Sequence, residues 1–301
     1  MYFCSIKYKF LPMRRVVLSI AIAALILCGC GVQTTDSRPT ITVSILPLKQ
    51  WAERIVGDSV RVNVLVPPGS SPEMFEPTPR QMSQFSQSEL FFAIGLIDFE
   101  QVLIDKFSGQ SKPRVVNLAQ GGALIEGHHH HHHGHECHHA ADPHIWASCR
   151  EAKRMVGVMA NELAVAYPRC AALFRENAQA FIAEIDSLDA QICAVIDSSE
   201  RSHFLIFHPA LAYFARDYGL TQLCVEDEGK EPSALGMAEI VETAKRTGVS
   251  HVLVQQQFDT KSAHAIANAL QLPVVQVDPL AEDWLTEMLR MAHIIAGTER
   301  R

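Results

Sequence analysis

Short apolar runs alternate with amphipathic segments along the first third of this chain. The apolar runs are rich in β-branched residues and predict strands, whereas the segments between them have helical spacing. The predicted strands are Thr40–Leu46, Val60–Val66, Leu90–Ile94 and Pro113–Asn117, and the predicted helices are Leu48–Val56, Pro79–Ser88 and Asp98–Phe107. Strands that alternate with helices predict parallel βαβ units, so we expect an α/β lobe here.

The same alternation returns in the last third of the chain. The predicted strands are His203–Phe207, Leu220–Val225, His251–Gln255 and Val274–Val277, and the predicted helices are Ala210–Tyr218, Ala234–Thr247, Lys261–Leu270 and Asp283–Ala296. A second α/β lobe with a parallel sheet is therefore expected. A length of 301 residues also suits two domains.

Two long helical patterns, Ile145–Tyr167 and Cys170–Ser198, separate these lobes and meet at Pro168. The second pattern would span roughly 40 Å at about 1.5 Å per residue, which is long for a globular helix. We expect it to be a rigid helix that joins the lobes; a core helix of one lobe is the alternative. The predicted fold class is α/β, with two parallel-sheet lobes joined by one long helix and the functional site in the cleft between them.

The N-terminus has the pattern of a secretory signal. Arg14 and Arg15 precede the apolar segment Val16–Leu27, which is short for a membrane-spanning helix of about 20 residues. The ending Leu27-Cys28-Gly29-Cys30 resembles a bacterial lipobox. We therefore predict a signal peptide over residues 1–29, lipid attachment at Cys30 and a polar tether to residue 39. A spanning helix is the alternative, and Met13 is a second candidate start.

The net charge limits the class of binding partner, and the cysteine spacing limits the kinds of covalent or metal cross-link. The formal net charge of −7 argues against nucleic acid and suits a protein that binds cations. The eight cysteines show no spacing typical of a disulfide framework or of a Cys-x-x-Cys zinc site.

A histidine-rich segment at residues 127–139, GHHHHHHGHECHH, precedes the first long helical pattern. Imidazole is the commonest protein ligand for zinc, copper and nickel, so this segment is predicted to be a metal-collecting loop. A purification tag is the alternative, although such tags sit at termini. His144 lies just beyond, in the stiffer sequence Asp142-Pro143-His144-Ile145-Trp146, which favours a ligand of an ordered site.

Four candidate ligands lie beyond the carboxyl ends of predicted strands, where ligands bind in open parallel sheets. His208 and Asp278 directly follow strands of the second lobe, and Glu73 and His144 lie in loops of the first. Zinc needs about four nitrogen, sulfur or oxygen donors, which this set supplies. As alternatives, His208 and Asp278 could cap the helices that follow, Glu73 could be a solvated acid, and His144 could belong to the collecting loop.

Several motifs together resemble the metal-binding solute-binding proteins of ABC transporters, most closely their ZnuA-type zinc branch. The resemblance implies capture of Zn²⁺ between two lobes, an ABC permease as partner, a monomer anchored by lipid outside the cytoplasm, and no catalysis. It matches His144 and His208 to two metal ligands, and Asp278 to an aspartate that binds metal in manganese-type relatives but often stands back from the metal in zinc-type ones. The motifs are Val64–Gly69, Phe75–Pro79, Asp142–Trp146, His208–Ala210 and Asp278–Leu280.

Glu73 departs from the family pattern, which usually has histidine at this position. A glutamate can bind zinc, but an oxygen donor also suits manganese, so Mn²⁺ selectivity is an alternative to zinc. Two other classes stay open: a secreted zinc hydrolase with Glu73 as general base, and an adhesin or metal-storage lipoprotein without a permease. The predicted boundaries are 40–144 for the first lobe, 145–199 for the helices and 200–301 for the second lobe.

Overall fold

The computed structural model describes residues 37–110, 112–126, 141–226, 233–258 and 261–298. The predicted signal peptide, the lipid-attachment residue Cys30 and the histidine-rich loop 127–139 lie outside the described residues. Among the residues described, no helix is both long enough and apolar enough to cross a membrane.

The N-terminal lobe is built on a four-stranded parallel sheet in the order β2-β1-β3-β4. Every residue of the central strand β3 is buried, as expected where helices cover both faces of a parallel sheet. The strands are β1 Thr40–Val43, β2 Arg61–Val64, β3 Leu90–Ala93 and β4 Arg114–Asn117, and the helices are α1 Leu46–Val56, α2 Pro79–Phe85 and α3 Asp98–Phe107.

The predicted first strand, which extended to Leu46, was wrong at its carboxyl end. The strand stops at Val43, and Leu46 already belongs to α1. Pro47 marks the first turn of that helix and not the end of the strand, because its missing N–H costs nothing at a helix N-terminus.

The C-terminal lobe repeats this topology, with the parallel order β6-β5-β7-β8. In both sheets the strand order reverses beside the first strand of the lobe, which creates the kind of crevice where open α/β sheets bind ligands. The strands are β5 His203–Ile206, β6 Thr221–Cys224, β7 Val252–Gln255 and β8 Val274–Val277. The helices that follow the linking segment are α6 Ala212–Asp217, α7 Ala234–Thr247, α8 Lys261–Leu270 and α9 Trp284–Ala296.

Helices α4 (Cys149–Ala166) and α5 (Ala171–Asp197) link the lobes. Helix α4 begins four residues later than predicted, because the Ser148 hydroxyl caps it by accepting a hydrogen bond from the Glu151 N–H at 3.1 Å. Residues 145–147 form a separate 3₁₀ turn.

The long helix α5 packs against α1 of the N-terminal lobe and against α9 at the end of the chain. Its buried residues recur every three or four positions and form one apolar face: Phe174, Ala178, Phe181, Ile185, Leu188, Ile192 and Ile196. The long linking helix is thus confirmed, and since it packs against both lobes it is not the core helix of one of them.

Aromatic side chains join the lobes beside the linking helices. The rings of Trp51 in α1 and Trp284 in α9 meet edge to face, with their centroids 5.2 Å apart. The Trp284 indole N–H donates to the carbonyl of Trp146 at 3.0 Å, and the Trp146 indole N–H donates to the carbonyl of Pro279 at 3.0 Å. These contacts fix the segment that carries His144 against the C-terminal lobe.

Candidate metal centre

Glu73, His144 and His208 meet in the cleft between the lobes, with donor atoms all within 4.8 Å of one another. Glu73 Oε1 lies 3.0 Å from His208 Nε2 and 3.7 Å from His144 Nε2. The two Nε2 atoms are 3.2 Å apart. Two imidazoles and one carboxylate therefore converge on one point, as the sequence analysis expected for these three residues.

The loop after β2 presents Glu73 to the cleft. Residues Pro72–Met74 form one 3₁₀ turn, and the Ser71 hydroxyl caps it by accepting a bond from the Glu73 N–H at 3.3 Å. The next aromatic residue, Phe75, packs edge to face on Phe99 of α3, with centroids 5.0 Å apart. The turn is held by its cap and by this ring pair, while the Glu73 side chain stays 38% exposed.

His144 is oriented by a carboxylate two residues earlier in the chain. Asp142 Oδ1 accepts hydrogen bonds from the backbone N–H of His144 at 2.8 Å and from its ring Nδ1 at 2.9 Å. With the proton on Nδ1, the Nε2 lone pair is free to bind a metal. The carbonyl of Asp142 accepts a hydrogen bond from the Tyr213 hydroxyl at 2.7 Å, which ties this pair to the C-terminal lobe.

His208 follows β5 and is held by three residues from other strands or loops. Its Nδ1 lies 2.6 Å from Glu226 Oε2, which follows β6. The buried Gln255 side chain accepts from the His208 N–H at 3.3 Å and donates to its carbonyl at 2.7 Å. The Phe258 ring stacks on the imidazole at 4.6 Å, with the planes 19° apart.

The electrostatics of the centre couple Glu73 to His208. Burial lowers the pKa of His208, but the hydrogen bonds that its ring donates to the carboxylates of Glu226 and Glu73 outweigh burial and raise that pKa to about 9. Burial raises the pKa of Glu73, and the hydrogen bond and charge of His208 more than offset this, so the pKa of Glu73 is lowered. Without metal, a proton on His208 holds the two residues together, and a metal ion would take the place of that proton.

Asp278, the fourth predicted ligand, lies outside this group of three donors. Its Oδ1 accepts bonds from Gln257 Nε2 at 2.9 Å and from the Leu280 N–H at 3.2 Å, and its Oδ2 accepts from Gln256 Nε2 at 2.6 Å. Burial raises the pKa of Asp278 overall, although the bonds from Gln257 and Leu280 act against it. Coordination of the metal by Asp278 stays a prediction.

The helix-capping alternatives for His208 and Asp278 are wrong. The N-cap of α6 is Leu211, with no side-chain cap. The N-cap of α9 is Asp283, whose carboxylate accepts from the Thr286 N–H.

A cavity of about 20 Å³ adjoins the three donors. This volume is enough for about one water-sized ligand. Residues of both lobes line it, including Pro72 of the N-terminal lobe and Gln257, Phe258 and Leu280 of the C-terminal lobe.

Asp142 and Glu226, which orient the two imidazoles, were not among the residues predicted for the site. The proximity of Asp142 to His144 in the chain was a usable signal. For Glu226 the signal was weaker: it is the first acid after β6, and β6 pairs with the strand that precedes His208.

Two parallel-sheet lobes, a long linking helix and a cleft with converging metal donors define a two-lobed metal-binding protein. The chain belongs to the family described as ZnuA, zinc-uptake complex component A, periplasmic, whose profile matches residues 41–296. The predicted family is thereby confirmed. Its description as periplasmic agrees with the predicted location of the protein outside the cytoplasm.

Relatives and solved structures agree with this assignment. The chain is 28% identical over 275 residues to the zinc-binding lipoprotein AdcA of Streptococcus pneumoniae, covering 86% of this chain but only 53% of that protein. It thus spans about half the length of that relative. A putative metal-binding protein of Chlamydia trachomatis is 26% identical over 275 residues, with 90% of this chain and 95% of that protein covered.

A crystal structure of ZnuA superposes with a TM-score of 0.79 at 37% identity, covering 87% of this chain and 99% of that one. A zinc-bound ZnuA deletion mutant gives a TM-score of 0.78 at 36% identity, covering 88% and 100%. The periplasmic zinc-binding protein TroA of Treponema pallidum shares the fold, with a TM-score of 0.77 at 18% identity and coverage of 88% and 100%. The predicted fold class is confirmed.

Proposed function

We propose that this protein is the extracytoplasmic substrate-binding component of a metal ABC importer, which captures Zn²⁺ in the cleft and delivers it to the membrane permease. The observation that carries the proposal is the convergence of Glu73, His144 and His208 from both lobes on one point. The family, whose description names a zinc-uptake complex, supports the same cargo.

Glu73, His144 and His208 are the proposed ligands, with Asp142 and Glu226 orienting the two imidazoles. Two nitrogen donors and one oxygen donor suit zinc, with a fourth position for a small ligand. The carboxylate of Glu73 also suits manganese, so Mn²⁺ is the competing cargo that a binding assay must include.

Transport fits this centre better than hydrolysis does. A zinc hydrolase needs a general base beside the metal-bound water, and in the hydrolase alternative Glu73 would have that role. Its Oε1 lies 3.0 Å from one imidazole and 3.7 Å from the other, where it would contact the ion itself. We therefore assign Glu73 as a ligand and the protein as a carrier without catalytic activity.

The proposal also includes a lipid anchor at Cys30 and a monomeric state. Processing of residues 1–29 would leave Cys30 as the lipid-modified residue that holds a monomeric carrier at the membrane surface. The histidine-rich loop 127–139 would raise the local zinc concentration. The similarity to a zinc-binding lipoprotein of Streptococcus pneumoniae supports an anchor of this kind.

Titration of Zn²⁺ and Mn²⁺ into metal-stripped protein tests the function. We expect one tight zinc equivalent that survives deletion of residues 127–139, is lost in His208→Ala and exceeds manganese in affinity. Loss of all binding with the loop would overturn the cleft site, and tighter manganese binding would change the cargo.

A further inference from the structure

A turn at Gln255–Phe258 connects His208 to Asp278 in the C-terminal lobe. Gln255 binds the backbone of His208 at both its N–H and its carbonyl, and Phe258 stacks on its imidazole. Between them, Gln256 and Gln257 donate their side-chain amides to the Asp278 carboxylate. The segment that fixes one metal ligand therefore also holds a second potential ligand.

The Asp278 carboxylate lies outside the group of three donors and accepts hydrogen bonds on both of its oxygens. Gln257 Nε2 and the Leu280 N–H bind Oδ1, and Gln256 Nε2 binds Oδ2. Gln257, Pro279 and Leu280 line the cavity beside Glu73 and the two histidines, so the chain on either side of this contact reaches the centre. A carboxylate held by amide donors has fewer lone pairs to offer an ion.

The choice between zinc and manganese depends on how many oxygen donors reach the ion. Zinc is bound by about four ligands, and the three donors plus one water-sized ligand reach that number. Manganese prefers carboxylate, carbonyl and water oxygens in a six-coordinate shell. A second carboxylate at this centre would raise both the coordination number and the share of oxygen donors. Asp278 is the candidate, because the next two residues, Pro279 and Leu280, line the cavity.

We propose that Gln256 and Gln257 are specificity-determining residues, which withhold Asp278 from the metal and so favour zinc over manganese. This inference rests on the proposed function, because it assumes that the cleft binds a divalent metal. Release of the two amides would free Asp278 to become an additional ligand. The selectivity of the wild-type protein for zinc over manganese then depends on the contacts of Gln256 and Gln257 with Asp278 as well as on the three donors.

The double variant Gln256→Ala/Gln257→Ala tests this inference in the full chain, purified in detergent and stripped of metal. We expect Mn²⁺ affinity to rise about 10-fold and Zn²⁺ affinity to change less than about threefold, within the range typical of residues that hold metal ligands. Adding Asp278→Asn should abolish the gain for Mn²⁺. Gln257→Glu is a second variant of similar shape that repels Asp278, and it should raise Mn²⁺ affinity in the same direction.

Two controls separate the possible outcomes. Alanine at the exposed glutamines Gln84 and Gln87 of the N-terminal lobe should leave both affinities unchanged. Asp278→Asn alone should leave Zn²⁺ affinity within about threefold of wild type. A 10-fold loss of Zn²⁺ affinity in Asp278→Asn, or unchanged Mn²⁺ affinity in both glutamine variants, would overturn the inference. Failure of the wild type to bind either metal would instead count against the proposed function.

Discussion

The two histidines of the metal centre are oriented by the same chemistry but by different parts of the fold. His144 takes its carboxylate from Asp142, two residues away on the same loop. His208 takes its carboxylate from Glu226, eighteen residues later and beyond a neighbouring strand, and it is also clamped by Gln255 and stacked on Phe258. One half of the site is therefore organised locally, and the other half depends on the assembled C-terminal sheet.

The two histidine–carboxylate contacts therefore depend on different amounts of folded structure. The His144–Asp142 contact can form as soon as its loop folds, since only two residues separate the partners. The His208–Glu226 contact requires β5 and β6 to pair in register, and the Gln255 contact also requires β7. Damage to the C-terminal lobe should thus impair metal binding through His208 first.

Removal of either imidazole should have the largest effect. His144→Ala and His208→Ala each delete a proposed ligand, so we expect zinc affinity to fall more than about 100-fold, beyond the range for residues that only orient ligands. His208→Ala should also lower the melting temperature of the metal-free protein more than His144→Ala does, because it leaves Glu226 buried without its partner. Equal melting temperatures would contradict the proposed difference between the halves.

Changing the orienting carboxylates should have the next largest effect. Glu226→Gln and Asp142→Asn keep the side-chain shape but remove the charge, and we expect each to lower zinc affinity about 10- to 100-fold at pH 9. At pH 7 the loss in Glu226→Gln should be smaller, because the pKa of His208 falls and fewer protons compete with zinc. Titrations at both pH values check this, and a pH-independent loss would show that Glu226 does not hold the proton of His208.

The stability of the metal-free protein and its zinc affinity should both depend on pH, because the pKa of His208 is raised. The metal-free protein gains stability from the protonated imidazole below about pH 6.5, and this gain is lost as pH rises through about 9. Zinc requires the neutral ring, so zinc affinity should rise over the same interval, with proton release on binding near neutral pH. Calorimetry in buffers of different ionisation enthalpy measures that release. Zinc binding without proton release at pH 7 would contradict the shifted pKa.

The smallest effect is expected at the aromatic contact. Phe258→Leu keeps an apolar side chain but removes the ring stacked on His208, and we expect zinc affinity to fall less than about 10-fold. Phe75→Leu, on the Glu73 side of the centre, is a matched variant, since it removes a ring contact without touching His208. A larger loss in Phe75→Leu would mean that the Glu73 loop is the less well-supported part of the site.

The fold was largely predictable from the chain, because strand and helix patterns are local. All eight strands and the long helix were placed correctly within a few residues. The errors fell at element boundaries, as at Ser148, which caps α4, and at the end of β1, after which α1 begins without a side-chain cap. The site was only partly predictable. The position of His208 after a strand could be read from the sequence, but its contact with Glu226 depends on strand order, which no local pattern contains.

Asp278 shows the other limit of sequence analysis. Its place after β8 made it a reasonable ligand, and the chain gave no indication that two adjacent glutamines would bind its carboxylate. Side-chain amides compete with a metal for the same carboxylate oxygens. Whether Asp278 binds the amides or the metal depends on geometry that forms only when β7 and β8 pair.

The aromatic contacts between the lobes also give the protein an optical property. All three tryptophans, Trp51, Trp146 and Trp284, are buried together at the lobe interface, and the Trp146 ring lies 5.2 Å from the His144 imidazole. A divalent ion on that imidazole would change the electric field at the neighbouring indole. The intrinsic fluorescence of the chain therefore reports on occupancy of the cleft without any added dye, and metal uptake can be followed in real time.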